Sequence, residues 1–178
     1  MHSDTVSLVL VRHGEAASVG GTVPNDAERP LTARGAEDAK AIGRLLARLD
    51  HSPGLILTSS LRRAIQTGEL IGTELGTAAR RGISRNLDPG FRNTDLFEEV
   101  FALRQAGEQN VAMVGHQPDL GNFIAFLIAG SAPTSVALAP GTAARLSVRT
   151  TGGRPEAVLH WLMPATAAHA LLLAPSRP

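Results

Sequence analysis

Two histidines that each follow a short apolar run, and a pair of arginines at a candidate helix start, are the residues of this 178-residue chain best suited to chemistry. They lie in three separated pieces: Arg12-His13-Gly14, Arg63 within Ser59-Ser60-Leu61-Arg62-Arg63-Ala64-Ile65-Gln66-Thr67, and His116 within Val114-Gly115-His116-Gln117-Pro118. If the fold brings them together, they supply an imidazole nucleophile and a ring of cationic donors for a phosphoryl group. An imidazole nitrogen can attack phosphorus and carry the group covalently until water removes it. The charge on the equatorial oxygens needs fixed donors, and Arg12, Arg63 and His116 are of the right type. Gly14 would let the backbone pass close to the ligand with no side chain in the way.

The elements around these pieces decide whether they can meet. Val6 to Val11 is nearly continuous in β-formers, as expected of a strand buried on both faces, and the chain then turns at Gly14. Residues 16–30, with glycines at 20 and 21 and prolines at 24 and 30, read as a long loop over the strand end. Thr32 can cap a helix whose Ala39, Ile42, Leu46 and Leu49 follow three-and-four spacing and which ends before Pro53. Leu55-Ile56-Leu57 is a short central strand, and Ser59 or Ser60 can cap the next helix, which carries Ile65, Ile71 and Leu75 inward and stops at Gly76. Arg62 and Arg63 then sit in a first turn whose free N–H groups favour an anion.

Residues 80–87 read as a strand, 94–106 as a helix ended by Gly107, and Val111 to Val114 as another buried strand with Gly115-His116 at its end. Asp119 is expected to cap an apolar helix running through Phe123, Ile124, Leu127 and Ile128 to Gly130, and 144–148 and 157–162 to form two strands joined by a Gly152-Gly153 turn. This alternation predicts an α/β, three-layer sandwich around a largely parallel sheet. Ligands of such sheets gather at the carboxyl ends of the strands, where all three pieces fall. The chain reads as one domain over residues 1–178, with 165–178 expected to be a short helix or edge segment running into a frayed tail.

Composition removes several classes. Seventeen basic and 16 acidic residues give a net charge of +1, far from the basic surface that nucleic acids require. There is no cysteine, hence no disulfide, thiolate nucleophile or cysteine-ligated zinc. The remaining histidines, His2, His51, His160 and His169, lack the spacing of a metal site, and no metal or cofactor is expected. Lys40 is the single lysine, so cationic sites are almost all forked guanidinium groups suited to phosphate. Val6 to Val11 is too short to span a bilayer and the start carries no signal-peptide pattern, so a cytoplasmic protein with no membrane partner is expected.

With these residues in this order, the chain resembles the histidine phosphatase superfamily, also called the phosphoglycerate mutase-like fold. That family carries Arg-His-Gly after its first strand, a Ser-x-x-x-Arg-Ala-x-x-Thr-like segment after the second, and Gly-His after a later strand. Within it, the SixA-like phosphohistidine phosphatases are the nearer likeness, through Arg29-Pro30-Leu31-Thr32-Ala33-Arg34-Gly35, Arg63-Ala64-Ile65-Gln66-Thr67, Leu87-Asp88-Pro89 and the tryptophan-bearing Leu159-His160-Trp161-Leu162. The resemblance implies that His13 is the phosphoryl acceptor, Arg12 and Arg63 the clamps and His116 the second pocket histidine. Arg63 is chosen over Arg62 because the family's clamp arginine directly precedes alanine. Glu15 stands where relatives often carry a polar or acidic residue, either orienting Arg12, facing the pocket or lying as an ordinary loop carboxylate. Ser59 is read as contacting phosphate or capping the helix.

One departure bears on the substrate. Larger members place a proton donor in mid-chain or directly after the second histidine, but here Gln117 follows His116, leaving Asp88, or Glu98 and Glu99, as candidates. An alkoxide leaves poorly without a donor, whereas an imidazole leaving a phosphohistidine is protonated readily from solvent. The expected activity is therefore a metal-independent phosphatase acting on a phosphohistidine-bearing protein. The alternatives are a general phosphatase of small phosphate esters and a non-catalytic relative that binds a phosphorylated protein.

Overall fold

The computed structural model describes residues 5–76, 79–130, 136–149 and 154–174. Its elements are β1 (Thr5–Arg12), α1 (Ala33–Arg48), β2 (Leu55–Thr58), α2 (Arg62–Glu74), β3 (Arg80–Ile83), a 3₁₀ turn (Arg85–Leu87), α3 (Asn93–Gln105), β4 (Asn110–Gly115), α4 (Asp119–Ala129), β5 (Ala143–Arg149), β6 (Glu156–Met163) and α5 (Ala165–Leu173). One six-stranded sheet runs in the order β3-β2-β4-β1-β5-β6. Strands β1 to β4 are mutually parallel, and β5 and β6 close one side antiparallel.

The three layers follow from the alternation along the central strands. Val6, Leu8 and Leu10 of β1 and Val111 and Met113 of β4 face a core shared with Leu96 and Val100 of α3 and Leu120, Phe123 and Leu127 of α4. Val9 and Val11, with Ala112 and Val114, face the opposite core of Ile42, Leu45 and Leu46 from α1, Ala64 and Ile71 from α2, and Ala168 from α5. Both faces being covered is why these strands read as unbroken apolar runs.

Several boundaries differ from the sequence reading. The strand expected over 80–87 ends at Ile83, because Ser84 accepts a hydrogen bond from Asn86 N and starts the 3₁₀ turn. Neither Ser59 nor Ser60 is the cap of α2: the capping position is Leu61, with no side-chain bond. Asp119 is the first residue of α4 rather than its cap, and its carboxylate accepts from Gly90 N at 2.9 Å. Of the short helix or edge segment expected from residue 165, the structure has the helix, α5 over 165–173, packed on α1, where His169 Nε2 lies 3.0 Å from Asp38 Oδ1. The Gly152-Gly153 turn lies outside the described residues. Among the described residues no helix is long and apolar enough to cross a membrane.

The sheet register prepares the site. Arg12 pairs with Gly115, while Val114 pairs with both Val11 and Thr58, so β2, β4 and β1 end side by side on one level. Backbone bonds continue that level past the strands, from His13 N to Gly115 O at 3.1 Å and from Ser59 N to Val114 O at 3.0 Å. The turn after β1 also abuts the start of α1: a Cβ on Gly35 would lie 2.1 Å from Glu15 O, and one on Gly14 would lie 2.5 Å from Gly35 O. Backbone meets backbone there, so no side chain can rotate away. Gly35→Ala is therefore expected to destabilise the protein by about 1–3 kcal/mol, as overpacking does, and urea denaturation beside Gly54→Ala, where the nearest atom is 4.0 Å away, checks it.

Candidate active site

His13 and His116 sit on adjacent strand ends with ring centroids 5.0 Å apart, and both are buried, at 9% and 3% exposure. The partners of His13 settle its tautomer. Its Nδ1 lies 2.7 Å from Gly14 O, a carbonyl that can only accept, so Nδ1 carries the proton and Nε2 keeps its lone pair. Arg63 Nε donates to that lone pair at 3.2 Å. The same logic applied to His116 gives the opposite tautomer. Arg63 NH2 can only donate, and it faces His116 Nδ1 at 3.4 Å, so the ring proton is on Nε2 and goes to Ser59 Oγ at 2.7 Å.

Arg63 thus stands between the two imidazoles, 5% exposed, while its neighbour Arg62 is exposed to solvent. Its position on α2 is fixed by Thr67, one turn further on. The Thr67 hydroxyl donates to Arg63 O at 2.7 Å and accepts from Gly14 N at 3.2 Å, tying the helix to the end of β1. Gly14 N–H is therefore occupied, and Gly35 is what demands a glycine at position 14. Arg12 reaches Leu138 O through NH1 at 2.6 Å, while its buried Nε has no hydrogen-bond partner among the described residues. An orphaned cationic donor of this kind is costly unless an anion comes to meet it.

Burial is the main influence on both histidines. Desolvation, with Arg63, Arg12 and Arg29 adding to it against the opposing Gly14 carbonyl, pushes His13 down to about 4. Desolvation, then His13 and Arg63, pushes His116 down to about 3. Both rings are neutral at physiological pH. The stability linked to their neutrality is fully present above the unfolded value of about 6.5 and is lost as pH falls through the folded values.

The long loop contributes residues that sequence reasoning missed. Arg63 NH1 donates to Asp26 O at 2.7 Å and NH2 to Asp26 Oδ2 at 3.0 Å, while Arg29 NH1 binds Asp26 Oδ1 at 2.9 Å. Arg62 N donates to Ala27 O and Leu61 N to Ser59 Oγ, so part of the helix start expected to receive an anion is already taken. Gln66 Oε1 accepts from Leu31 N at 2.8 Å and pins the loop's far end. The signal for Arg29, Gln66 and Thr67 was present in the two motif segments; Asp26 gave none, since aspartate in a Gly/Pro-rich loop reads as a turn residue.

The secondary candidates separate. Ser59 lies in the site, but against His116. Glu15 is exposed with its carboxylate 4.0 Å from Arg34, and Arg12 is held instead by Leu138. Asp88 lies at the rim, accepting from Ser60 N at 2.7 Å and from Ser60 Oγ at 2.9 Å. Glu99 is committed to Ser84 and Asn86, and Glu98 is exposed.

The family model described as histidine phosphatase superfamily (branch 1) matches residues 8–99, from β1 through most of α3, and so takes in His13 and Arg63. The chain belongs to the histidine phosphatase superfamily. It is 34% identical over 120 residues to an uncharacterised protein of Picosynechococcus, covering 66% of this chain and 70% of that one. It is 27% identical over 128 residues to the phosphohistidine phosphatase SixA of Escherichia coli, covering 72% and 78% respectively. The solved structure of the protein histidine phosphatase SixA complexed with tungstate shares the fold, with a TM-score of 0.80, 24% identity, and coverage of 90% of this chain and 98% of that one.

The assigned tautomers are directly measurable. Long-range ¹⁵N correlation spectra are expected to show His13 as Nδ1–H and His116 as Nε2–H throughout pH 5.5–8, with His13 charging only toward the value of about 4. A titration of His13 near 6.5 would contradict the geometry.

Proposed function

We propose that this histidine phosphatase removes the phosphoryl group from phosphohistidine on a protein, through a phosphorylated His13 and without a metal ion. The observation that carries the reading is the His13 Nε2 lone pair, kept free of a proton because Gly14 O holds the only ring proton on Nδ1, and met by the Arg63 guanidinium. A neutral, oriented imidazole needs no base to activate it.

In the first step His13 Nε2 attacks phosphorus as the bond from phosphorus to the substrate's imidazole breaks, and that nitrogen takes a proton from solvent. Arg63 Nε, which donates to Nε2, transfers its hydrogen bond to an equatorial oxygen once the lone pair is used. Arg12, whose charge acts on His13, supplies a second cationic group, and the His116 ring packs beside that of His13. Water then attacks the phosphoryl-His13, releasing inorganic phosphate and restoring the lone pair.

Preference for a phosphohistidine rests on what stands at the rim. Asp88, whose charge acts on His116 together with that of Asp26, has its oxygens occupied as acceptors by Ser60. It has nothing arranged to protonate an alkoxide, whereas an imidazole leaves without such help. The likeness to SixA of Escherichia coli points the same way.

Phosphate release from a phosphohistidine protein and from a panel of phosphate esters, measured in chelator, tests this. Faster turnover of phosphohistidine is expected, lost in His13→Ala and reduced about 10²–10³-fold in Arg63→Ala, the scale of removing one oxyanion donor. Esters turned over equally well, with loss in Asp88→Asn, would make it a general phosphomonoesterase.

A further inference from the structure

We propose that the carboxylate of Asp26 is an internal stand-in for the substrate's anion, holding Arg63 and yielding it when a phosphoryl group enters. The inference rests on the reading of Arg63 as a phosphate ligand. Every nitrogen of the Arg63 guanidinium is in use: Nε on His13, NH1 on the Asp26 carbonyl, and NH2 between the Asp26 carboxylate at 3.0 Å and His116 at 3.4 Å. A phosphoryl group bonded to His13 Nε2 must take donors from this set, and the two Asp26 contacts are not equally surrendered.

The carbonyl contact belongs to a loop fastened at many points. Ala27 O accepts from Arg62 N, Ala17 N donates to Pro30 O, Arg29 Nε donates to Ala17 O, and Leu31 N is held by Gln66. The carboxylate contact belongs to a side chain that is 57% exposed against 6% for that of Arg63. Rotation about the Asp26 side chain therefore takes the carboxylate into water, where Arg29 already holds its other oxygen, and leaves the backbone carbonyl aiming Arg63 at His13. The carboxylate carries the charge type and the two-oxygen edge by which guanidinium groups bind phosphate. It neutralises the buried cation until substrate arrives, at a cost in substrate affinity.

This role makes a prediction opposite in sign to that of a residue that merely positions Arg63. Binding of inorganic phosphate should be measured by calorimetry on wild type, Asp26→Asn and Arg63→Ala, with thermal denaturation of each. Asp26→Asn removes the competing charge and keeps the shape, so the Kd for phosphate is expected to fall about three- to tenfold, with a matching fall in KM. Damage to the fold does not tighten a ligand, so a gain of affinity is not produced by misfolding. Unchanged or weaker phosphate binding in Asp26→Asn, with binding lost in Arg63→Ala, overturns the stand-in role and leaves the site assignment intact. Phosphate bound equally well by Arg63→Ala overturns the assignment of Arg63 and the inference with it.

Discussion

A guanidinium buried between two imidazoles is the constraint on which the rest of the site depends. A guanidinium carries a permanent charge, and removing such a charge from water costs several kcal/mol unless acceptors replace the lost hydration. Those acceptors are the lone pairs of His13 and His116 and the two oxygens of Asp26. Desolvation, with the cation adding to it, keeps both rings neutral, and neutrality leaves a lone pair where an attack on phosphorus would begin. The loop over the site is fastened partly because Arg63 needs its carbonyl and carboxylate. Thr67 and Gly14 keep the helix that carries Arg63 against the strand that carries His13.

The sheet makes this convergence possible. Insertion of β4 between β1 and β2 puts the two histidine-bearing strand ends side by side and the strand that leads into the arginine helix next to them, although the three are far apart in the chain. Register then fixes the height of each, since Arg12 pairs with Gly115 and Val114 with Thr58. The close backbone approach of Gly14 and Gly35 locks the β1 turn against α1, so the orientation of His13 is set by main-chain contacts that no side-chain motion relaxes.

Much of this was legible in the chain. Val6 to Val11 and Val111 to Val114 announce strands buried on both faces, and the residues that follow each are those that meet in the site. The choice of Arg63 over Arg62 needed a motif, but burial agrees with it. What stayed hidden has physical reasons. Ser59 and Ser60 are typical cap residues, yet their hydroxyls serve His116 and Asp88, tertiary demands that no local pattern encodes. The strand after α2 ends early because Ser84 bonds to its own downstream backbone. Asp26 was invisible because its partner lies 37 positions away and a loop aspartate is ordinary. The segment after Pro164 left helix and edge segment open, and it is a helix because its small apolar face covers α1.

The central claim is that His13 Nε2 receives the phosphoryl group. Rapid acid-free quenching of the wild-type enzyme during turnover of a radiolabelled substrate, followed by peptide mapping, tests it most directly. The account predicts an acid-labile, base-stable phosphoryl label on His13 that forms and decays at rates compatible with turnover. Label on His116 instead, or full turnover by His13→Ala, would contradict it.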